Sequence, residues 1–424
     1  MAGSLFTGLW RHRDFRKLWT GQTISLLGSM IGRPAISFTA ILVLHARPAQ
    51  LAMLLAADLV PGIVVGLFAG AWVDRLHRRP MMIAADVGRG VLLATVPLAA
   101  MAGALHIQQL YAVAFAVSLL SVIFDVAYQA YLPALVDGEQ LLEANSKLAA
   151  SGAVAETAGF GIAGTLVGLF TAPLTVLIDA ASFFVSALFL RSIKTVERAG
   201  PRAEDENVLR EIREGLQIVL HTPLLRALAL CALTMEMGRG VYGTLVVLYM
   251  TRDLGFSPAV LTPIWAVGGV TSLVAAMYVG RFTRRVGVGP AIILGALFTG
   301  IAMLLIPAAT GATLFAACLL IGQQFVGDAA STVLGVNQTT LRQAISPPAL
   351  LGRVGATLHF TGLAAMLLGT ALAGVLGELI GSRATLVCGG LVTMLAALWL
   401  ALSPIRALRA VPATHYDTGE NIAS

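Results

Sequence analysis

Apolar residues dominate the chain in long runs separated by short polar breaks. Crossing about 30 Å of hydrocarbon at 1.5 Å per residue takes roughly 20 apolar residues. Twelve runs qualify: 19–44, 50–73, 80–102, 109–132, 147–170, 173–191, 225–250, 257–281, 288–308, 312–340, 354–377 and 384–403. The breaks carry turn chemistry or charge, as at Ala46-Arg47-Pro48, Asp74 to Pro80 and Thr251 to Pro258. The pattern predicts an all-α membrane protein with twelve transmembrane helices. The longest polar interior segment, Ser192 to Thr222, divides the runs six and six. Within it Val208, Ile212, Leu216 and Val219 recur at helical spacing among charges, predicting an amphipathic helix on the membrane surface. The expected organisation is a six-helix bundle over 1–191, a linker with that helix over 192–224, a second bundle over 225–404 and a disordered tail over 405–424.

Composition agrees with this reading. Of 424 residues 57% are hydrophobic and 12% charged, with a mean hydropathy of +0.84. That is about half the charge of a soluble domain, too little to cover a water-facing surface. A cytosolic enzyme, a disordered chain and a nucleic-acid-binding domain are thereby excluded. Cys231, Cys318 and Cys388 lie far apart in apolar runs, which indicates neither a disulfide framework nor a zinc site. No cleavable signal is read at the N-terminus, because the apolar run after Trp19 is too long.

The net charge of +6 is explained by where it lies. Between the spans and at their ends, 22 lysines and arginines fall on one side, including Arg11, Arg13, Lys17, Arg75, Arg78, Arg79, Arg284 and Arg285. Three fall on the other: Arg47, Arg252 and Arg383. The positive-inside rule then puts both termini in the cytoplasm, with the tail on that side. The abundance of Ala, Gly and Arg, with only Lys17, Lys147 and Lys194 as lysines, points to a GC-rich bacterium and its inner membrane.

Shifting the sequence by 210 residues aligns its halves. Phe15-Arg16-Lys17-Leu18 meets Leu225-Arg226-Ala227-Leu228, and Gly70 with Asp74-Arg75 meets Gly280 with Arg284-Arg285. Gly159-Phe160-Gly161-Ile162-Ala163-Gly164 meets Gly369-Thr370-Ala371-Leu372-Ala373-Gly374. Parallel repeats of this kind predict two pseudo-symmetric six-helix bundles with a substrate path near the midplane.

The loop Gly70-Ala71-Trp72-Val73-Asp74-Arg75-Leu76-His77-Arg78-Arg79 resembles the signature of the major facilitator superfamily, with His77 where that family usually has glycine. Arg13-Asp14-Phe15-Arg16-Lys17-Leu18-Trp19, Phe124-Asp125-Val126-Ala127-Tyr128-Gln129-Ala130-Tyr131-Leu132-Pro133, Leu142-Glu143-Ala144-Asn145 and Gly352-Arg353 resemble its bacterial branch of enterobactin exporters and macrolide efflux proteins. The resemblance covers essentially the whole chain. It implies the major facilitator fold, alternating access and export by proton antiport, although Phe160 stands where the antiporter signature has proline. It also implies that helices one, four, seven and ten line a central cavity.

Gly159, Gly161 and Gly164 match the dinucleotide fingerprint, but that needs a preceding strand and a helix N-terminus. Inside an apolar run they read instead, with Gly369 and Gly374, as helix-packing positions. Asn337-Gln338-Thr339 reads as a chance sequon. No P-loop, GxSxG or HExxH is found, so no enzyme, nucleotide or cofactor is expected and an ATP-driven pump is disfavoured. Topology alone explains the charge of Arg75, Arg78 and Arg79 but not the neighbouring Asp74. The resemblance implies that Gly70, Asp74, Arg75, Arg78 and Arg79 form a cytoplasmic latch, which would account for Asp74.

Charges within spans cost several kcal/mol unless paired or hydrated. Asp86 and Arg89, three apart, are expected to pair, and Asp179 to cap or brace. Arg33, Asp125, Glu236, Arg239 and Asp328 fall on the four cavity helices that the resemblance implies, and are the candidate proton-coupling or substrate residues; structural ion pairing is the alternative. The leading expectation is a monomeric secondary exporter of amphipathic small molecules in exchange for protons. A lysophospholipid or lipid flippase is the runner-up, and a non-transporting sensor or scaffold comes third.

Overall fold

The structure is a computed structural model that describes residues 8–66, 77–136, 138–194, 208–347 and 350–412. The described elements are helical throughout. They are α1 (Arg13–Phe38), α2 (Pro48–Gly66), α3 (Arg78–Met101), α4 (Ile107–Leu135), α5 (Gly138–Phe170) and α6 (Ala172–Ser192), then α7 (Val208–His221). There follow α8 (Pro223–Leu248), α9 (Pro258–Val286), α10 (Val288–Ala308), α11 (Leu314–Ile345), α12 (Leu351–Leu379) and α13 (Gly381–Ala401). Among the described residues ten helices are long and apolar enough to cross a membrane by themselves, and up to twelve if each of two bent pairs, one around α5 and one at the α7–α8 junction, is one span.

The chain divides into two compact units. The first comprises Met1–Asp205 with Met250–Ala266, the second Glu206–Tyr249 with Val267–Ser424. In the first, α1 packs on α6 through a stripe of glycines. A Cβ on Gly28 would lie 2.0 Å from Ser182 Oγ, and one on Gly32 would lie 2.2 Å from Asp179 Oδ2. Only glycine lets these backbones approach so closely. Asp179 is buried there and accepts a hydrogen bond from Ser29 Oγ at 3.1 Å, so it braces α6 against α1. Gly159 of α5 lies against Met30, and Gly164 against the Pro258 carbonyl, where a Cβ would come within 2.1 Å.

The second unit repeats this plan 210 residues later. Gly238 of α8 meets Thr393 of α13 at the position of Gly28, and Gly369 of α12 meets the Met237 carbonyl at the position of Gly159. Gly90 meets Phe184, and Gly300 meets Met394. Even the irregular ends recur: π-helical turns at Thr39–Val43 and Tyr249–Asp253 close the first helix of each repeat. Each is followed by a left-handed residue, His45 (φ 50°) or Gly255 (φ 81°).

The amphipathic helix is present as α7. It turns through 106° into α8 and lies on α12. Gly215 contacts Thr357 and Arg353, and Glu214 pairs with Arg353 at 2.6 Å. The tail is expected from the sequence to be disordered from 405, but residues 405–408 are built into the fold. Pro404–Ala407 forms a 3-10 turn, Ile405 is fully buried, and Gly289 N–H donates to the Leu408 carbonyl at 2.9 Å. The apolar Ile405, Leu408 and Val411 draw this segment onto the base of α10 and α13. Residues 413–424 lie outside the described residues.

Candidate functional site

The charged residues within the spans fall into separate groups. In the first unit Asp86 and Arg89 form the buried hydrogen-bonded pair that their spacing predicts. Arg89 also donates to Ser121 Oγ at 3.2 Å, and its guanidinium lies between the Phe124 and Phe183 rings at 4.5 and 4.1 Å. Such stacking stabilises a desolvated cation. Arg33 on α1 and Asp125 on α4 are exposed. The charge of Arg33 acts on Asp58, Asp125 and Asp179, so the two candidates belong to one electrostatic neighbourhood.

In the second unit Glu236 and Arg239, one turn apart on α8, make an ion pair at 3.3 Å. Gly238 and Gly240 set their orientation by pressing α8 against α13 and α12. The pair faces a cavity of about 390 Å³ lined by α8, α11 and α12. Gln338 and Arg342 enter it from α11 and His359 from α12; Leu228, Leu358 and Met366 supply apolar wall. Glu236 keeps 26% of its side chain exposed and Arg239 55%, so both remain open to the cavity.

Asp328 does not line this cavity. Its carboxylate accepts from Gln324 Nε2 at 3.3 Å and lies against Gly268 of α9, where a Cβ would come within 1.9 Å of Oδ2. Nearby, Tyr242 donates to Gln323 Oε1 at 3.2 Å. Sequence reasoning missed Gln338, Arg342 and His359 as cavity residues. A signal existed: Gln338 and Arg342 are four apart, one face of a helix. Asn337 beside them is spent within the fold, accepting from Thr283 and donating to the Val333 carbonyl.

Gly70, Asp74 and Arg75 of the expected latch lie outside the described residues. Arg78 donates to the Ala130 carbonyl at 3.0 Å, and Arg79 to the carbonyls of Leu190 and Arg191 at 2.9 and 2.6 Å. Lys17 reaches the Ser192 carbonyl at 2.6 Å. The C-terminus of α6 is thus held by two cations, which suits its partial negative charge. Gly161 of α5 lies near Ala266, and Gly374 of α12 is buried. Among the described residues no group of three or more His, Cys, Asp or Glu could hold a metal.

Repeated bundles of apolar helices with a charged cavity in one of them define a polytopic membrane protein built for small molecules. The sequence matches the Major Facilitator Superfamily over residues 18–370, and the chain belongs to that family. It is 28% identical over 395 residues to the uncharacterized MFS-type transporter YfiS of Bacillus subtilis (strain 168), covering 89% of this chain and 90% of that one. It is 30% identical over 381 residues to the multidrug efflux pump Tap of Mycolicibacterium fortuitum, covering 84% and 88%. Macrolide efflux protein A of Streptococcus pyogenes is 25% identical over 221 residues, about half of each chain. Among solved structures, the nucleoside transporter NupG superposes with a TM-score of 0.76 at 11% identity, covering 92% of this chain and 98% of that one. A bacterial homologue of the lysosomal transporter Spinster gives 0.72 at 16%, covering 95% and 99%. At these identities the likeness is one of fold. The chain is accordingly a multi-pass membrane transporter and not an enzyme.

Proposed function

We propose that this transporter exports amphipathic small molecules, of the drug, macrolide or siderophore-like kind, in exchange for protons. The observation that carries the proposal is the cavity in the second unit: a carboxylate–guanidinium pair, Glu236 and Arg239, set in a wall that is otherwise part polar and part apolar. An apolar wall with a few convergent polar groups suits an amphipath. A carboxylate beside a guanidinium is a group whose proton affinity changes when the partner turns away. Similarity to the pumps named above supports export as the direction.

In this reading Glu236 carries the exchanged proton and Arg239 responds to substrate. Asp125 and Arg33 serve the other half of the path, and Asp328 is a second proton site. Gly70, Asp74, Arg75, Arg78 and Arg79 form a cytoplasmic latch that breaks and re-forms during alternating access. The working unit is a single chain in a bacterial inner membrane with both termini cytoplasmic.

The test is an accumulation screen in cells with and without the protein, repeated with a protonophore. The compounds span a macrolide, cationic dyes, fatty-acid-like anions and a fluorescent lysophospholipid. Lower accumulation that the protonophore reverses supports the proposal. Retention equal to that of control cells for every solute, with movement of the lysophospholipid alone, replaces it with lipid flipping.

A further inference from the structure

The cavity of the second unit contains an electrostatic imbalance. Glu236 is matched by Arg239 at 3.3 Å. Arg342 lines the same cavity half-buried; its guanidinium has no ion-pair or hydrogen-bond partner among the described residues, and its Nε is buried. The positive-inside rule accounts for an arginine near this end of α11, but not for an Nε shielded from water without an acceptor. Burying a guanidinium nitrogen without an acceptor is unfavourable, and a planar carboxylate or phosphate is the acceptor that matches its fork.

The surroundings extend the match. Gln338, one turn before Arg342, donates to the Leu228 carbonyl at 3.3 Å and so is held in place beside it. His359 lines the opposite wall on α12. The cavity carries two guanidinium groups against one carboxylate. Beyond this polar end, Leu358, Leu363 and Met366 offer apolar surface.

We infer that the cavity takes an amphipath whose polar end is an anion, a carboxylate or phosphate, with Arg342 as its anchor. The inference rests on the transport reading and narrows its cargo from amphipaths of any charge to those with an anionic end. The anion is either a free solute or the headgroup of a lipid, and the chemistry of recognition is the same for both.

The experiment is equilibrium binding to the full chain in phosphatidylcholine nanodiscs, with no gradient imposed, corrected for partition into empty discs. The probes are dodecanoate, dodecyl phosphate and dodecyltrimethylammonium, which share one alkyl chain. Both anions are expected to bind at least about tenfold more tightly than the cation. Arg342→Gln weakens the anions about tenfold and leaves the cation unchanged. Glu236→Gln removes the negative charge and tightens the anions several-fold. Where Arg342→Gln fails to fold, Arg342→Lys keeps the charge and loses the fork, and phosphate binding falls by a smaller factor. A cation that binds as tightly as the anions overturns the inference, as does anion binding indifferent to Arg342 or to Glu236→Gln. Adding phosphatidylglycerol to the discs names the source: competition with dodecanoate assigns a lipid headgroup, and unchanged binding assigns a solute. Because binding needs no gradient, vesicles that fail to transport leave this result standing, and absent anion preference leaves export standing.

Discussion

Gly28 of α1 and Ser182 of α6 touch so closely that a Cβ on the glycine would lie 2.0 Å from the serine Oγ and 2.5 Å from its Cβ. The same contact recurs between Gly238 and Thr393 in the second repeat. In a membrane, where lipid is as apolar as the helix surfaces, close approach of backbones takes over much of the cohesion that burial supplies in water.

Gly28→Ala is therefore expected to destabilise the protein by about 1–3 kcal/mol, the usual effect of overpacking. Ser182→Gly removes the opposing atoms, so the double variant recovers part of the loss despite a second helical glycine. Thermal unfolding in detergent reads both. Additive losses would show that the two positions do not share this contact.

The buried pair in α3 leads to a second expectation. Asp86→Ala leaves Arg89 charged and uncompensated between Phe124 and Phe183, and breaking a buried pair this way costs roughly 3–5 kcal/mol. Replacing both residues, as Asp86→Leu with Arg89→Met, is milder than either single change to an apolar residue. The yield of monodisperse protein from membranes ranks the variants; a double variant worse than both singles contradicts the assignment.

The apolar runs, the amphipathic α7 and the 210-residue repeat were legible in the sequence because each is a periodicity along the chain. Helix extent was less so. Helix α5 begins at Gly138, before the apolar run at 147: Glu143 accepts from the Leu9 N–H and pairs with Lys147, and Ala144 is buried in the core of the first unit. The segment after 404 folds because Ile405 meets a core built from α13 and three helices far from it in sequence, α8, α10 and α11. The cavity was legible only as the i,i+3 pair Glu236 and Arg239. Arg342 and His359 join it through the convergence of α11 and α12, and Asp328 leaves it because Gly268 admits its carboxylate against α9.

On the proposed latch, Asp74→Asn is expected to slow turnover while leaving substrate affinity within a few-fold, because the sequence puts Asp74 between two apolar runs, at the edge of a hydrocarbon core about 30 Å thick. Equilibrium binding beside initial transport rates separates the two. Complete loss of binding in a folded variant would move Asp74 into the substrate site.

Topology has its own check. With Cys231, Cys318 and Cys388 replaced by serine, Thr310→Cys in the exposed loop after α10 is expected to react with an impermeant maleimide added outside intact cells. Arg406→Cys, exposed after α13, reacts only when the membrane is opened. The reverse pattern would place the termini outside.

Proton coupling through Glu236 is the central claim, and vesicles containing the purified protein test it most directly. An imposed pH difference, with the strongest substrate of the cell screen supplied outside, is predicted to drive accumulation against the substrate's own gradient. Glu236→Gln is predicted to abolish that accumulation while preserving exchange of labelled for unlabelled substrate. Accumulation by Glu236→Gln with the wild-type pH dependence would make Glu236 structural and pass the role to Asp328. Transport by the wild type at an unchanged rate, after both the pH and the voltage differences are collapsed, would contradict proton antiport altogether.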